Sequence, residues 1–158
     1  MNKTEIIIPI EEKDFSELTP EELEIVEAAR DIAKRAYAPY SQFRVGAALR
    51  LQSGRIVTGS NQENAAYPSG LCAERTALFY AGANYPDDPV MALVITAMRA
   101  DDKYVALAAP CGGCRQVILE TADRYKHPFP IYLAGPSSVK IVRDCRQLLP
   151  INFDASSL

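Results

Sequence analysis

The chain has 158 residues, a formal net charge of −3, 48% hydrophobic residues and 23% charged residues. This length suits a single domain, and the ordinary composition excludes disordered, collagen-like and coiled-coil chains. The net negative charge does not favour a nucleic acid as a partner. The longest mainly apolar run, Val90 to Met98, is far shorter than the roughly 20 residues of a membrane helix. The N-terminus lacks a basic region and a cleavage site, so we expect a cytoplasmic protein without a membrane partner.

The N-terminal part of the chain divides at Thr19. Residues 1–18 are predicted to form an extension that packs loosely or at an edge, and residues 19–158 to form one domain. Thr19-Pro20-Glu21-Glu22 matches a capping box with proline at the first helical position. Apolar residues then recur at helical spacing to about Ala36, which predicts an amphipathic helix that Pro39 ends.

The next segments alternate between strand and helix patterns. Apolar residues at every second position from Phe43 to Leu51 predict a strand, and Arg55 to Asn61 is predicted to return as the second arm of a hairpin. The remaining predicted elements are a helix from Cys72 to about Tyr80, a buried strand from Val90 to Met98, a helix from near Cys111, and short strands at Ile131–Leu133 and Val139–Val142. This order predicts an α/β sandwich around a mixed sheet.

The four cysteines are Cys72, Cys111, Cys114 and Cys145, and the second and third form a Cys-x-x-Cys pair. In a chain that is not secreted, this spacing favours metal binding or redox chemistry over disulfides. Cys72 and Cys111 lie beside predicted helix starts, where free N–H groups favour thiolates. Three thiolates can bind a tetrahedral Zn²⁺ ion and leave its fourth position for water, as in catalytic zinc sites.

Charged residues adjoin these cysteines. Glu74 follows Cys72 by two positions, close enough to act as a general acid and base on such a water, although a first-turn carboxylate can also simply stabilise its helix. Zinc with three thiolates has a net negative charge, which weakens the ionisation of water. We expect Arg75 and Arg115 to offset this charge by donating hydrogen bonds to the sulfurs; the alternative for each is a solvated surface arginine.

At these residues the chain resembles the cytidine deaminases in their three-cysteine form. The zinc signature is carried by Cys72-Ala73-Glu74-Arg75 and by Pro110-Cys111-Gly112-Gly113-Cys114-Arg115-Gln116. Three further segments match the family at Tyr40–Ala48, Asn61–Tyr67 and Leu148–Pro150. Because the segments occur in the family's order, the resemblance is specific, and it covers about residues 20 to 153.

The resemblance implies one Zn²⁺ per chain, bound by Cys72, Cys111 and Cys114. Glu74 would take a proton from the zinc-bound water, deliver it to N3 of the pyrimidine and later help ammonia to leave. The fold implied is a three-layer α/β/α sandwich around a mixed, roughly five-stranded sheet. The activity implied is hydrolytic deamination of cytidine and 2′-deoxycytidine in pyrimidine salvage.

The resemblance also implies how a nucleoside binds. Asn61 and Glu63 would hold the 3′-hydroxyl, Phe43 would stack near the base, and the backbone of Ala73 would contact the base carbonyl. Short members of the family form homotetramers in which a C-terminal phenylalanine from a neighbouring subunit closes each pocket, and Phe153 matches that position. The chain departs from the family pattern at residues 1–18, at residues 99–109 and at Ile151-Asn152.

Other interpretations remain open for the cysteines. A fourth thiolate from Cys145 would give a closed structural zinc site without catalysis, but such sites normally consist of two close pairs and Cys72 has no pair partner. A lone cysteine such as Cys145 is more often a small buried hydrophobic residue. A redox role for the Cys-x-x-Cys pair would leave Cys72-Ala73-Glu74 unexplained. We expect His127 to be a loop residue without a metal role.

The substrate class also has alternatives. A deaminase of nucleic acids would need a basic groove with aromatic side chains, which the net charge does not favour. A deaminase of a related cytosine nucleoside, such as a nucleoside antibiotic, is closer, but Asn61, Glu63 and the segment around Phe43 favour a plain nucleoside. The phosphate of a nucleotide would be repelled by Glu63.

Overall fold

Six strands form one mixed sheet in the computed structural model, which describes residues 1–158. The strands are β1 (Glu11–Asp14), β2 (Arg44–Leu51), β3 (Ile56–Ser60), β4 (Val90–Met98), β5 (Ile131–Ala134) and β6 (Ser138–Val142). Their order across the sheet is β1-β6-β5-β4-β2-β3, and β4 and β5 are the one parallel pair. The predicted mixed sheet is confirmed, with a sixth strand added to the roughly five expected.

Three helices cover the two faces of this sheet. Helix α1 (Pro20–Ala33) packs on one face, and α2 (Ala73–Asn84) and α3 (Gly112–Tyr125) pack on the other. The three-layer α/β/α architecture is therefore confirmed. Helix α1 ends before the predicted Ala36. The backbone hydrogen bonds after Ala33 join residues three apart, and Tyr37 then forms a β-bridge with Gln62.

The central strand β4 has a core on each side. Leu93 and Ile95 face the core under α2 and α3, whereas Val94 faces the core under α1. This arrangement explains why β4 is an almost continuous apolar run with the predicted bounds. At Gly59 on β3, a Cβ atom would lie 2.7 Å from the carbonyl oxygen of Ala73, so glycine allows the start of α2 to approach the sheet closely.

Residues 11–14 supply the sixth strand, at the edge of the sheet. Strand β1 pairs antiparallel with β6; Glu12 forms an ion pair with Lys140 on that strand, and Glu11 forms one with Arg143, which directly follows it. Charged residues are common at sheet edges, where they discourage pairing with other chains. Residues 1–10 are exposed and have no regular secondary structure. None of the helices is long and apolar enough to span a membrane.

Residues 99–109 connect β4 to the start of α3. The chain turns at Asp102, returns so that the Val105 amide donates to Ala97 O, and then runs to Pro110. The guanidinium of Arg30 lies 4.3 Å from the ring centroid of Tyr104 and 4.4 Å from that of Phe15. Arg30 thus joins this connection to the segment that follows β1.

Candidate active site

Three cysteines meet where α2 and α3 begin. Cys72 is the N-cap of α2, Cys111 is the N-cap of α3, and Cys114 lies in the first turn of α3. Their sulfur atoms lie within 4.8 Å of one another, and Cys72 Sγ is 3.9 Å from Cys111 Sγ. Two sulfurs bound at about 2.3 Å to one tetrahedral zinc ion are about 3.8 Å apart. The cluster therefore has the donor type and the spacing that fit Zn²⁺.

The pKa values of two thiols in this cluster are shifted in opposite directions. A hydrogen bond from the Cys114 thiol, reinforced by the Arg75 guanidinium, lowers the pKa of Cys72 to about 5. The same contact with Cys72, together with burial, raises the pKa of Cys114. The lowered pKa of Cys72 favours its thiolate, which is the form that binds metal ions.

The two arginines beside the cluster have different partners. Arg75 Nη2 donates to Cys72 Sγ at 3.3 Å, and this contact raises the pKa of Arg75. Arg115 differs from the prediction that it donates to a sulfur. Its Nε donates to Pro110 O and its Nη1 to Leu148 O, both at 2.9 Å, because its side chain turns back past the helix start. Arg115 therefore holds the residue before Cys111 in place.

Glu74 is a buried acid beside the cysteines. It lies in the first turn of α2, and only 5% of its surface is exposed. Burial raises the pKa of its carboxyl group, and the negative charge of Cys72 adds to that effect. A carboxyl group with a raised pKa can both accept and donate a proton near neutral pH. The preceding residue, Ala73, is fully buried.

A cleft of about 470 Å³ leads to the cluster. Cys72 and Arg75 line one part of it, and Asn61 and Glu63 line another, together with Tyr40. Pockets that bind small ligands commonly have volumes of about 300 to 1,000 Å³. The structure thus brings the predicted metal ligand Cys72 and the predicted sugar-binding residues into one cleft.

Asn61 and Glu63 hold the loop that precedes β2. Asn61 Nδ2 donates to Phe43 O at 2.9 Å, and Asn61 Oδ1 accepts from Val45 N at 2.8 Å. Glu63 accepts hydrogen bonds from the backbone amides and the side chain of the segment Tyr40-Ser41. The Ser41 hydroxyl is the main cause of the lowered pKa of Glu63. Ser41 lies in the family-matched segment Tyr40–Ala48, but a serine in a loop has no distinctive pattern that assigns it a role.

Residues 20–126 match the family model described as the cytidine and deoxycytidylate deaminase zinc-binding region. The chain belongs to this family. It is therefore a hydrolytic deaminase, and the family resemblance found in the sequence is confirmed. The probable cytidine deaminase of Dictyostelium discoideum is 34% identical over 142 residues, which cover 89% of this chain and 90% of that protein. The cytidine deaminase of Sporosarcina psychrophila is 37% identical, over 85% of this chain and 92% of that protein.

Solved structures of this deaminase family have the same fold. The crystal structure of cytidine deaminase from Burkholderia pseudomallei matches with a TM-score of 0.71 and 37% identity, covering 86% of this chain and all of that one. The cytidine deaminase of Mycobacterium tuberculosis matches with a TM-score of 0.64 and 32% identity, over 84% and 96% of the two chains.

Phe153, Phe43 and Cys145 are not among the residues that line the cleft. Phe153 is 59% exposed, and its backbone oxygen accepts from Gln116 Nε2 at 2.8 Å. Phe43 is also exposed, at the end of the loop that Asn61 holds. Cys145 is buried in the core under α2 and α3, and it is not one of the three clustered cysteines.

Proposed function

We propose that this deaminase converts cytidine and 2′-deoxycytidine to uridine and 2′-deoxyuridine, with release of ammonia. One observation carries the proposal: a single cleft contains Cys72 of the three-cysteine cluster and the polar pair Asn61 and Glu63, with the buried acid Glu74 two residues after that cysteine. The names of the relatives, which are cytidine deaminases, support it.

In this proposal Cys72, Cys111 and Cys114 hold one Zn²⁺ per chain. The support is the sulfur spacing, including the 3.9 Å between Cys72 and Cys111, and the lowered pKa of Cys72. When bound, zinc with three protein ligands is a Lewis acid that lowers the pKa of water. Arg75 offsets part of the negative charge of the thiolates, and Arg115 positions the residue before Cys111.

Glu74 is the proposed proton shuttle. Its carboxylate accepts a proton from the attacking water and delivers it to N3 of the pyrimidine, while the water oxygen adds to C4. Glu74 then assists proton transfer to the amino group on C4, and ammonia leaves as the C4 carbonyl forms. The raised pKa and burial of Glu74 support this assignment, because an acid in a dry site exchanges protons with substrate in preference to bulk water.

The nucleoside is proposed to lie along the cleft. Asn61 and Glu63 hold the 3′-hydroxyl, Phe43 stacks near the base, and the Ala73 backbone contacts the base carbonyl. Among the residues that line the cleft, Arg75 is the one cation, and its guanidinium is bonded to Cys72. A 5′-phosphate would therefore be repelled by the negative charge of Glu63, and no free cation lines the cleft to bind it. This favours a nucleoside over a nucleotide as the substrate.

The working assembly is proposed to be a cytoplasmic homotetramer that acts in pyrimidine salvage. Residues 19–158 form the deaminase domain, and residues 1–18 form an extension to it. Phe153 would close the cleft of a neighbouring subunit. The support is its exposed ring on a backbone held by Gln116, since a large exposed aromatic side chain near a chain end is suited to burial against another surface.

An absorbance assay with cytidine, combined with a zinc measurement per chain, tests the proposal. We expect wild-type protein to carry about one zinc per chain and to deaminate cytidine and 2′-deoxycytidine. Glu74→Gln should keep its zinc and lose turnover on the order of 100-fold or more. Loss of zinc together with activity in this variant would contradict the shuttle role. Turnover of only a modified cytosine nucleoside would favour the antibiotic-type alternative.

A further inference from the structure

We propose that Ser41 is a positioning residue that joins the sugar-binding and base-stacking parts of the nucleoside pocket. Its hydroxyl donates a hydrogen bond to Glu63 Oε1 and accepts one from Phe43 N at 3.0 Å. One hydroxyl group therefore contacts the two residues to which the proposed function gives the sugar and the base. The inference rests on that proposed function, because it concerns how Glu63 and Phe43 meet a nucleoside.

The hydrogen bonds that Glu63 accepts leave one lone pair, on Oε1, for a ligand. Glu63 Oε2 accepts from Tyr40 N at 2.9 Å and from Ser41 N at 3.2 Å, so both of its lone pairs are used. Oε1 accepts from the Ser41 hydroxyl and keeps one further lone pair for a hydroxyl of the substrate. Together with the two amides, the Ser41 hydroxyl thus fixes the orientation of the carboxylate and leaves it a single defined acceptor site.

Hydrogen bonds hold the backbone of Phe43 at both its amide and its carbonyl group. Its amide donates to Ser41 Oγ, and its carbonyl accepts from Asn61 Nδ2 at 2.9 Å. The residue between them, Gln42, has a φ of 54°, which is uncommon for a side chain other than glycine. The Ser41 hydrogen bond therefore helps to fix the backbone from which the Phe43 side chain projects.

Ser41 is exposed and lines the cleft, so its hydroxyl is not needed to fill the core. Removing it leaves both backbone amides on Glu63 and creates no buried cavity. A Ser41→Ala protein should therefore fold and melt like wild type. The expected defect is in binding: KM for cytidine should rise about 10-fold with kcat nearly unchanged, because a hydrogen bond to a charged group is lost.

A comparison of two substrates separates positioning from a general structural effect. 3′-Deoxycytidine lacks the hydroxyl that Glu63 is proposed to accept, so the orientation of Glu63 matters less to it. We expect the loss in kcat/KM caused by Ser41→Ala to be at least about 3-fold smaller for 3′-deoxycytidine than for cytidine. Ser41→Thr keeps the hydroxyl and should restore most of the affinity for cytidine.

Ser53 provides a matched control in the turn between β2 and β3. Its hydroxyl donates to Asp88 Oδ2 at 2.5 Å and accepts from Arg55 N at 3.3 Å, the same pattern of a carboxylate and the amide two residues later. Because Ser53 does not line the cleft, Ser53→Ala should leave KM for both substrates at the wild-type value.

The outcomes distinguish this inference from the proposed function. An unfolded Ser41→Ala protein, a wild-type KM, a loss confined to kcat or equal losses for the two substrates would each overturn the positioning role of Ser41. If wild-type protein does not deaminate cytidine, the proposed function is wrong, and the role of Ser41 in nucleoside binding is then wrong as well. A larger loss for cytidine, with recovery in Ser41→Thr, supports the inference.

Discussion

Arg75 Nη2 lies 3.3 Å from Cys72 Sγ, and it brings a positive charge to a sulfur whose pKa is about 5. The neighbouring Arg75 Nε is buried without a hydrogen-bond partner, so leaving this nitrogen unpaired costs free energy. The contact with Cys72 offsets that cost, and it connects a residue of α2 to the proposed metal centre.

Replacing Arg75 by alanine should weaken the site without unfolding the protein. A sulfur that loses its donor leaves more negative charge at the metal, so water is harder to ionise. We expect zinc affinity or kcat/KM to fall about 10- to 100-fold, as measured by chelator competition and cytidine turnover. Arg124→Ala, on the last turn of α3, is the control and should retain both. Wild-type values in Arg75→Ala would contradict the role of this contact.

Cys145→Ser and Cys114→Ser should differ in their zinc content. Cys145 is buried in the core, where burial raises the pKa of its thiol to about 11, so it is a poor thiolate donor. We expect Cys145→Ser to lose about 1 to 3 kcal/mol of stability and to keep its zinc and turnover. Cys114→Ser should lose both, because ligation and assembly of the site are coupled. Equal zinc loss in the two variants would favour a closed structural site.

Phe153→Ala should lower activity while leaving zinc in place. Stacking of a base on an aromatic ring contributes about 1 to 3 kcal/mol, which corresponds to a decrease of roughly 5- to 150-fold in kcat/KM. Ile151→Ala is the control, because Ile151 is exposed on the same tail and has no proposed contact with substrate.

Mixing subunits tests whether Phe153 acts across an interface. Phe153→Ala and Glu74→Gln proteins should regain activity when their subunits exchange, because some sites then combine an intact Glu74 with the Phe153 of a neighbour. Size-exclusion chromatography should give the mass of a tetramer. No recovery despite demonstrated exchange would mean that the ring acts within its own chain or has no role in the site.

Arg30→Ala should destabilise the fold. Arg30 Nη2 donates to Gly135 O at 2.6 Å and to Pro136 O at 3.1 Å, and the guanidinium stacks on Phe15 and Tyr104. We expect a loss of roughly 2 to 4 kcal/mol in the free energy of unfolding, measured with urea. Arg35→Ala, an exposed change just beyond the same helix, should cost less than about 0.5 kcal/mol. A similar cost for both would show that the contacts of Arg30 with the two carbonyls and the two rings do not stabilise the fold.

Tyr132 should make the stability depend on pH in alkaline solution. Its hydroxyl donates to Glu22 Oε1 at 3.1 Å, and burial, reinforced by Glu22, raises the pKa of Tyr132 from 10 to about 12. The folded state therefore holds this proton more tightly, so the contribution is complete below pH 10 and is lost as the pH rises toward 12.

Urea unfolding of Tyr132→Phe at several pH values measures this effect. The variant should be less stable than wild type by about 1 kcal/mol near neutral pH, and the difference should shrink above pH 10. A constant difference at all pH values would exclude the Tyr132 proton as its cause.

Short-range patterns in the sequence determined the start of a helix, the bounds of a strand and the cysteine motifs of this protein. The capping box at Thr19 begins α1 as predicted, and the apolar run Val90 to Met98 is strand β4 with the predicted bounds. The Cys-x-x-Cys pair and the Cys72-Ala73-Glu74 segment could be recognised because their spacing within a single helix start is set by local geometry. These features depend on residues that are neighbours in the chain.

Only the tertiary structure determined the contacts between residues that are distant in the chain. Glu11–Asp14 has no apolar alternation, and it becomes a strand because β6 offers an open edge, with Lys140 on that strand and Arg143 just after it. Arg115 bonds Leu148 O in place of a sulfur, and Ser41 bonds Glu63 in the lining of the cleft. Such contacts join residues that follow no regular spacing in the sequence. Only the packing of the helices on the sheet determines which of these residues come into contact.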